Sequence, residues 1–240
     1  MFQVRSSIST AGRFDAMRRG IFITGTDTGV GKTYIAAGIA AALKQQGINI
    51  GVMKPAETGC SLKHGKLVPR DALRLIKAAD VRDPLALVNP YRYREPIAPH
   101  LAAIRAGSII KPTSIMNAFR TVSQNHDFMI VEGAGGIMVP LSGKYLYLDL
   151  ARRMNLPVII VARPGLGTIN HTLLTISALK AKSVPILGIV INFAQDSKRG
   201  LAERTGPAAI EEITRERILA TISHNARDFG QLANKIIDQD

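Results

Sequence analysis

Apolar positions in this chain follow two periods, and the change from one to the other marks out the elements. Short apolar runs occur at 21–23, 48–53, 128–131, 158–162, 187–192 and 218–222. Each is strand-length and bounded by glycine, proline or polar residues, which predicts buried strands. Between them, apolar residues recur three and four apart: Ile35, Ala36, Ile39, Ala40 and Leu43; then Ile169, Leu173, Ile176 and Leu179; then Phe229, Leu232, Ala233, Ile236 and Ile237. That spacing predicts helices with one buried face. Further helices are expected over 71–79, 100–106, 113–124, 146–154 and 201–214. Residues 56–69 read as a polar loop, and 84–99 as an irregular connection punctuated by proline. Strands alternating with helices imply an α/β fold: a doubly wound, mostly parallel sheet with helices on both faces, in a single domain over 20–240. Functional residues should then gather beyond the carboxyl ends of the strands.

The first strand meets the first helix through Thr24-Gly25-Thr26-Asp27-Thr28-Gly29-Val30-Gly31-Lys32-Thr33. A strand, a glycine-rich turn and a helix start form the context of a phosphate-binding loop, whose free amides and helix dipole attract an anion. Lys32 adds a mobile cation, and the Thr33 hydroxyl suits a magnesium ion. The general pattern places a glycine five residues before Gly31, but Thr26 stands there and Gly25 lies one place early. The loop predicts binding of a nucleoside triphosphate. Other strands also end in polar residues: Lys54 after the second, Glu132-Gly133-Ala134-Gly135-Gly136 after the next, and Asn192 after a later one. An acid in the place of Glu132 suits a second magnesium contact, and the glycines behind it allow amides to approach phosphate. Asp71 alone reads as an acid stabilised by its helix dipole. His64 and His126 read as exposed, while His100 and His171 lie near helix starts.

Charge and composition narrow the partners. The net charge of +13 raises the question of nucleic acid, but the basic residues are scattered and aromatics make up only 5%. The charge therefore reads as attraction for anionic substrates or a general basic background. No apolar run approaches the roughly 20 residues of a membrane span. Cys60 is the only cysteine, so a disulfide within the chain is excluded and a cytoplasmic setting is expected. Residues 1–19 carry four arginines and several serines. They resemble a transit peptide in composition, but are read as a basic, loosely attached extension or a misassigned upstream start.

The combined motifs resemble the dethiobiotin synthetase family over about 20–192. The loop matches the family signature Thr-Gly-Thr-Asp-Thr-x-Val-Gly-Lys-Thr, early glycine included. Also matching are Lys54-Pro55-Ala56-Glu57-Thr58-Gly59, Arg70-Asp71-Ala72-Leu73, Asn89-Pro90-Tyr91, Glu95-Pro96-Ile97-Ala98-Pro99-His100 and Gly167-Thr168-Ile169-Asn170-His171. The resemblance implies a P-loop fold and an ATP-dependent ligase of biotin biosynthesis. It would convert diaminopelargonic acid, carbon dioxide (or bicarbonate) and MgATP into dethiobiotin, ADP and phosphate. It further implies that Lys54 and Lys32 are catalytic, and that Thr33, Asp71 and Glu132 hold Mg2+. The nucleotide would contact Thr28, Gly29, Val30, Gly31, Lys32, Thr33, Tyr34, Asp71, Glu132, Gly133, Ala134, Gly135 and Asn192. Thr58 would meet the diamine, and Gly167, Thr168, Ile169 and Asn170 its carboxylate, reaching across a homodimer interface.

Two departures bear on the nucleotide. Gly29 stands where family members often carry Glu, and Ile222-Ser223-His224-Asn225 replaces a segment that commonly holds a proline beside the base. The choice between ATP and other nucleotides is open at this point. The rival from another class is a ParA-like partitioning ATPase, but that group has a Lys-Gly-Gly loop where this chain has Thr26-Asp27-Thr28. Glutaminase-bearing cobyrinate or cobyrate synthases need a second domain for which 240 residues leave no room.

Overall fold

The computed structural model describes residues 20–195 and 200–238. The extension expected over 1–19 lies outside the described residues. The chain opens with β1 (Gly20–Gly25), α1 (Lys32–Gln45) and β2 (Ile50–Met53). An excursion follows, made of β3 (Ala56–Glu57), β4 (Ser61–Lys63), β5 (Lys66–Val68), α2 (Arg70–Ala79), α3 (Leu85–Val88), β6 (Tyr91–Arg92), α4 (Pro99–Arg105) and α5 (Pro112–Ser123). The chain returns as β7 (Phe128–Gly136), a short hairpin of β8 (Pro140–Ser142) and β9 (Tyr145–Leu146), and α6 (Tyr147–Met154). It finishes with β10 (Val158–Ala162), α7 (Thr168–Ala181), β11 (Ile186–Asn192), α8 (Leu201–Thr214), β12 (Ile218–Ile222) and α9 (Gly230–Ile237).

Six strands form one sheet in the order β12-β11-β10-β1-β7-β2, and every neighbouring pair is parallel. Side chains alternate between the faces, so each strand feeds two cores. Ile21, Ile23, Ile130 and Val161 pack with Ile35 of α1, Leu75 of α2 and Leu232 of α9. Phe22, Met129, Val131 and Ile160 pack with Ile115 of α5, Leu150 of α6 and Ile176 of α7. With helices on both sides, β1 and β10 are buried along their whole length, which is why they read as unbroken apolar runs.

The strand order places the site. From β1 the chain moves outward to β2, comes back to β7 beside β1, and then crosses to β10 on the other flank of β1. That reversal is a topological switch point, and a crevice opens at the carboxyl ends of β1, β7 and β10.

Two sequence expectations need correction. The stretch 56–69 is not simply a loop: it holds β3 and an antiparallel hairpin of β4 and β5. The connection over 84–99 contains α3 and β6, with Ala56 and Glu57 of β3 paired to Tyr91 and Arg92. Two-residue strands carry no periodic signal, so only tertiary pairing reveals them. β7 also runs past Val131 to Gly136, because its glycines let Gly136 pair with Gly25.

Candidate active site

The loop between β1 and α1 is shaped by backbone freedom at its glycines. Gly31 has φ 91, and a Cβ there would stand 2.1 Å from the Asn192 side-chain nitrogen. Gly25, the early glycine, is required for a different reason. A Cβ on it would lie 2.8 Å from the Asp27 carbonyl and 3.0 Å from Lys32 Nζ, because the loop and its lysine fold back over that position. No side chain caps α1 and no acid occupies its first turn, which leaves a positive helix end open to an anion.

Four side chains from four segments meet beside this loop. Lys54, at the end of β2, donates to Glu132 Oε1 at 2.6 Å and to the Gly133 carbonyl at 3.2 Å. Its ammonium also lies 3.1 Å from Asp71 Oδ2, in the first turn of α2. Thr33, in the first turn of α1, donates its hydroxyl to Glu132 Oε1 at 2.7 Å. Asn89 fixes the backbone behind the lysine by donating to the Lys54 carbonyl at 2.6 Å. Lys54 is buried, and burial alone would lower its pKa, but the carboxylates of Glu132 and Asp71 outweigh this and raise it above the ordinary value. The carboxylates favour its charged form.

Lys32 is tuned the other way. Its ammonium donates to the Asp27 carbonyl at 3.0 Å. Burial, followed by repulsion from Lys54, pulls its pKa down to about 8. Two cations thus face one space, one locked and one poised.

That space is a cavity of about 510 Å³. It is lined by the expected residues Thr28, Gly29, Gly31, Lys32, Thr33, Tyr34, Lys54, Thr58, Asp71, Glu132, Ala134 and Gly135. Val30 and Asn192 belong to a second cavity of about 300 Å³ on the other side of the loop, which shares Thr28 and Gly29 with the first. Asn192 braces the loop by donating to the Val30 carbonyl at 2.8 Å, and its Oδ1 is buried without a partner. Gly167, Thr168, Ile169 and Asn170 line neither of these cavities, so the chain does not bring them to Lys54. Gly167 opens α7 in a left-handed conformation, and the buried Thr168 hydroxyl has no partner.

Sequence reasoning passed over three residues. Arg74 of α2 lines the first cavity and sits 5.4 Å from the Tyr34 ring centre. Tyr147 is wholly buried beside Lys54 and Glu132 with an unpartnered hydroxyl, and burial raises its pKa. Glu57 caps α2 with its carboxylate. Their local patterns are those of ordinary helix or strand positions; a proline in front of α2, which cannot cap it, is the one signal that could have pointed to Glu57. His126 is not exposed as expected: it sits between Asp83 Oδ2 at 2.8 Å and Asn49 Oδ1 at 2.9 Å. His100 accepts the Gly143 amide at 3.0 Å and contributes nothing to the cavity.

The donor set suits a magnesium ion. The Thr33 hydroxyl and the carboxylates of Asp71 and Glu132 are hard oxygen ligands on one side of the cavity, and Glu132 Oε2 is a buried acceptor with no partner. Among the described residues no cluster of three His, Cys, Asp or Glu occurs. Mg2+ held by one or two carboxylates fits such a site, since it keeps waters and takes phosphate oxygens.

Comparison with known proteins gives the family. The family model described as "AAA domain" matches residues 19–227. The chain is 40% identical to "ATP-dependent dethiobiotin synthetase BioD" of Thermodesulfovibrio yellowstonii, over 92% of this chain and 97% of that one. The chain belongs to the dethiobiotin synthetase family. The protein of the same name from Bacillus velezensis is 42% identical over 84% of both chains, and that of Methanocaldococcus jannaschii 39% over 90% and 99%. Among solved structures, the cell division ATPase MinD of Pyrococcus furiosus aligns with a TM-score of 0.61 at 18% identity, over 92% of this chain and 98% of that one. A ParA family ATPase from Chlorobium tepidum aligns with a TM-score of 0.56 at 18% identity, over 92% and 98%. These last two share the P-loop α/β fold with the dethiobiotin synthetase family.

Within that family the chain's departures have clear positions. Gly29 is exposed at φ 77, and a Cβ on it meets nothing within 4 Å. The segment after β12 is tied to the loop after β11, with His224 Nδ1 at 3.0 Å from the Ala194 carbonyl. The Tyr34 hydroxyl donates to the Ala226 carbonyl. Among the described residues no helix is long and apolar enough to cross a membrane.

Proposed function

We propose that residues 20–240 form one catalytic domain that uses MgATP to carboxylate diaminopelargonic acid and close the ring of dethiobiotin, releasing ADP and phosphate. The observation that carries this reading is the Lys54 ammonium, 2.6 Å from Glu132 and 3.1 Å from Asp71, in the wall of the cavity that also holds Lys32 and Thr33. One amine of the substrate takes up carbon dioxide and loses a proton, giving a carbamate. A carbamate oxygen attacks the terminal phosphorus of ATP, the bond to the bridging oxygen breaks, and ADP leaves. The second amine then attacks the carbamoyl carbon, expels phosphate and closes the cyclic urea.

This chemistry needs negative charge neutralised and reactants held in line. Lys32 and the open end of α1 attract the triphosphate, and Lys54 presents a fixed cation to the carbamate and the transferring phosphoryl group. Thr33, Asp71 and Glu132 would hold Mg2+, which supplies charge neutralisation at the phosphate oxygens. Thr58 faces the diamine from the Lys54 loop. Gly167–Asn170 would serve the carboxylate from a second subunit, so the reading includes a homodimer, in keeping with their absence from the lining of the first cavity. Asn192 offers its buried Oδ1 to a base amino group. The enzyme is read as cytoplasmic.

Mass spectrometry of reactions containing the diamine, bicarbonate and each nucleotide in turn tests the proposal. Dethiobiotin and ADP should form only when all substrates are present. Phosphate release stimulated by DNA without the diamine would replace the ligase reading with a partitioning ATPase.

A further inference from the structure

We infer that Glu57 is a positioning residue for the cluster of Lys54, Asp71 and Glu132, acting through the first turn of α2. This rests on the proposed reaction, because it assigns a role within the same site. Helix α2 begins at Arg70 after Pro69, whose ring offers no capping group. A helix start leaves several amides without partners, and a capping side chain satisfies those of the second and third residues. Those residues are Asp71 and Ala72, and both amides donate to Glu57: Asp71 to Oε1 at 3.0 Å and Ala72 to Oε2 at 3.0 Å. The cap is thus supplied by a strand 14 residues upstream.

Glu57 is itself anchored. Its carbonyl accepts the Tyr93 amide at 2.8 Å, and β3 pairs it with Arg92 of β6. Glu57 is 5% exposed and lies in the wall of the first cavity, but each of its carboxylate oxygens accepts an amide of the helix end. The same turn carries Asp71 to Lys54 Nζ, and the turn that follows it carries Arg74 to the Tyr34 ring. The clamp therefore sets where two cavity side chains stand, while its own carboxylate is spent on backbone amides. Without it the turn frays and Asp71 leaves Lys54.

The test uses Glu57→Ala, Glu57→Gln as the shape-preserving variant, and Pro69→Ser, which puts a capping hydroxyl at the helix start itself. Hydrogen exchange at the Asp71 and Ala72 amides, read by NMR, should quicken roughly tenfold in Glu57→Ala. Turnover should fall roughly tenfold with the KM for ATP held within about twofold, and Glu57→Gln should lie between. Adding Pro69→Ser to Glu57→Ala should recover both protection and turnover. On an Asp71→Ala background, Glu57→Ala should cost no further turnover. Unchanged exchange at the two amides overturns the inference, as does a full additive loss on the Asp71→Ala background. Recovery of protection without turnover also overturns it, and makes Glu57 a group that touches substrate. Should the parent protein form no dethiobiotin, the reaction is wrong while the exchange experiment still decides the clamp.

Discussion

Two parts of the same crevice are built on opposite principles. At the ends of β1, β2 and β7 the charged groups are paired within the chain, Lys54 with Glu132 and Asp71, Lys32 with a loop carbonyl and Glu57 with a helix end, while Glu132 Oε2 and the Tyr147 hydroxyl stay open. At the ends of β10 and β11 the chain leaves groups open. Thr168, Thr172 and Asn192 each keep a buried oxygen without a partner, and Leu166 and Leu174 are 92% and 61% exposed. An unpaired buried polar group costs about 1–3 kcal/mol, so a fold retains it where binding supplies the partner. The first part is organised before substrate arrives. The second is completed by what docks there, which is the arrangement a nucleotide base and a second subunit would need.

The strongest way to break the contrast is at its most connected residue. Lys54→Ala removes the fixed cation, and turnover is expected to fall by roughly 10³. The same change leaves Glu132 buried without its cation, held by the Thr33 hydroxyl, at a cost of up to about 3–5 kcal/mol, which magnesium nucleotide should partly restore. Kinetic assays and thermal melts with and without MgATP check both. A melting temperature equal to that of the parent would mean that the cluster is not preorganised by this pair.

Gly31→Ala attacks the brace between the two parts. It places a Cβ at φ 91 and 2.1 Å from the Asn192 amide, so the loop or the Asn192 side chain must give way and the brace between them is lost. The left-handed conformation alone costs about 1–2 kcal/mol, and ATP affinity should drop roughly a hundredfold once the clash is added. Calorimetric titration with ATP measures it. An unchanged affinity would show that Asn192 does not hold the loop.

A smaller effect is expected on the open side. Leu166→Glu puts a charge on the exposed lip before α7. It should convert a dimer to a monomer in sedimentation and raise the KM for the diamine roughly tenfold, leaving ATP binding intact. A parent protein that is already monomeric, with a normal diamine KM, would remove the partner subunit from the site.

The same contrast explains what could be read from the amino-acid sequence. The inner strands are continuous apolar runs because the sheet is covered on both faces, and the phosphate loop is a contiguous motif in which Gly25 and Gly31 are forced by close approaches of the chain. Lys54 and Glu132 were legible as polar ends of strands and Asp71 as an acid at a helix start, and it was the family resemblance that joined the three in one site. Glu57, Arg74 and Tyr147 were hidden, since their roles depend on contacts across 14 or more residues and their own neighbourhoods look ordinary. The short strands β3 and β6 were invisible for the same reason: two residues have no period.

The most delicate test concerns protonation at Lys32. Burial and then Lys54 bring its pKa from 10.5 to about 8, so between these values the folded protein binds fewer protons than the unfolded chain. Ligand-free stability should therefore rise as pH goes from about 8 to 10.5, and this contribution is lost as pH falls through 8; its ceiling is about 3 kcal/mol. Phosphate oxygens beside the ammonium reverse the shift, so nucleotide binding must take up a proton wherever Lys32 is partly neutral. Near pH 8 the uptake should be roughly half a proton, and above it the apparent affinity should weaken by up to about tenfold per pH unit. Calorimetry in two buffers of different ionisation enthalpy measures the uptake, and Lys32→Met should abolish it. Equal heats in both buffers would mean that Lys32 is already fully charged, and that the first part of the crevice holds two locked cations where one locked and one poised are described.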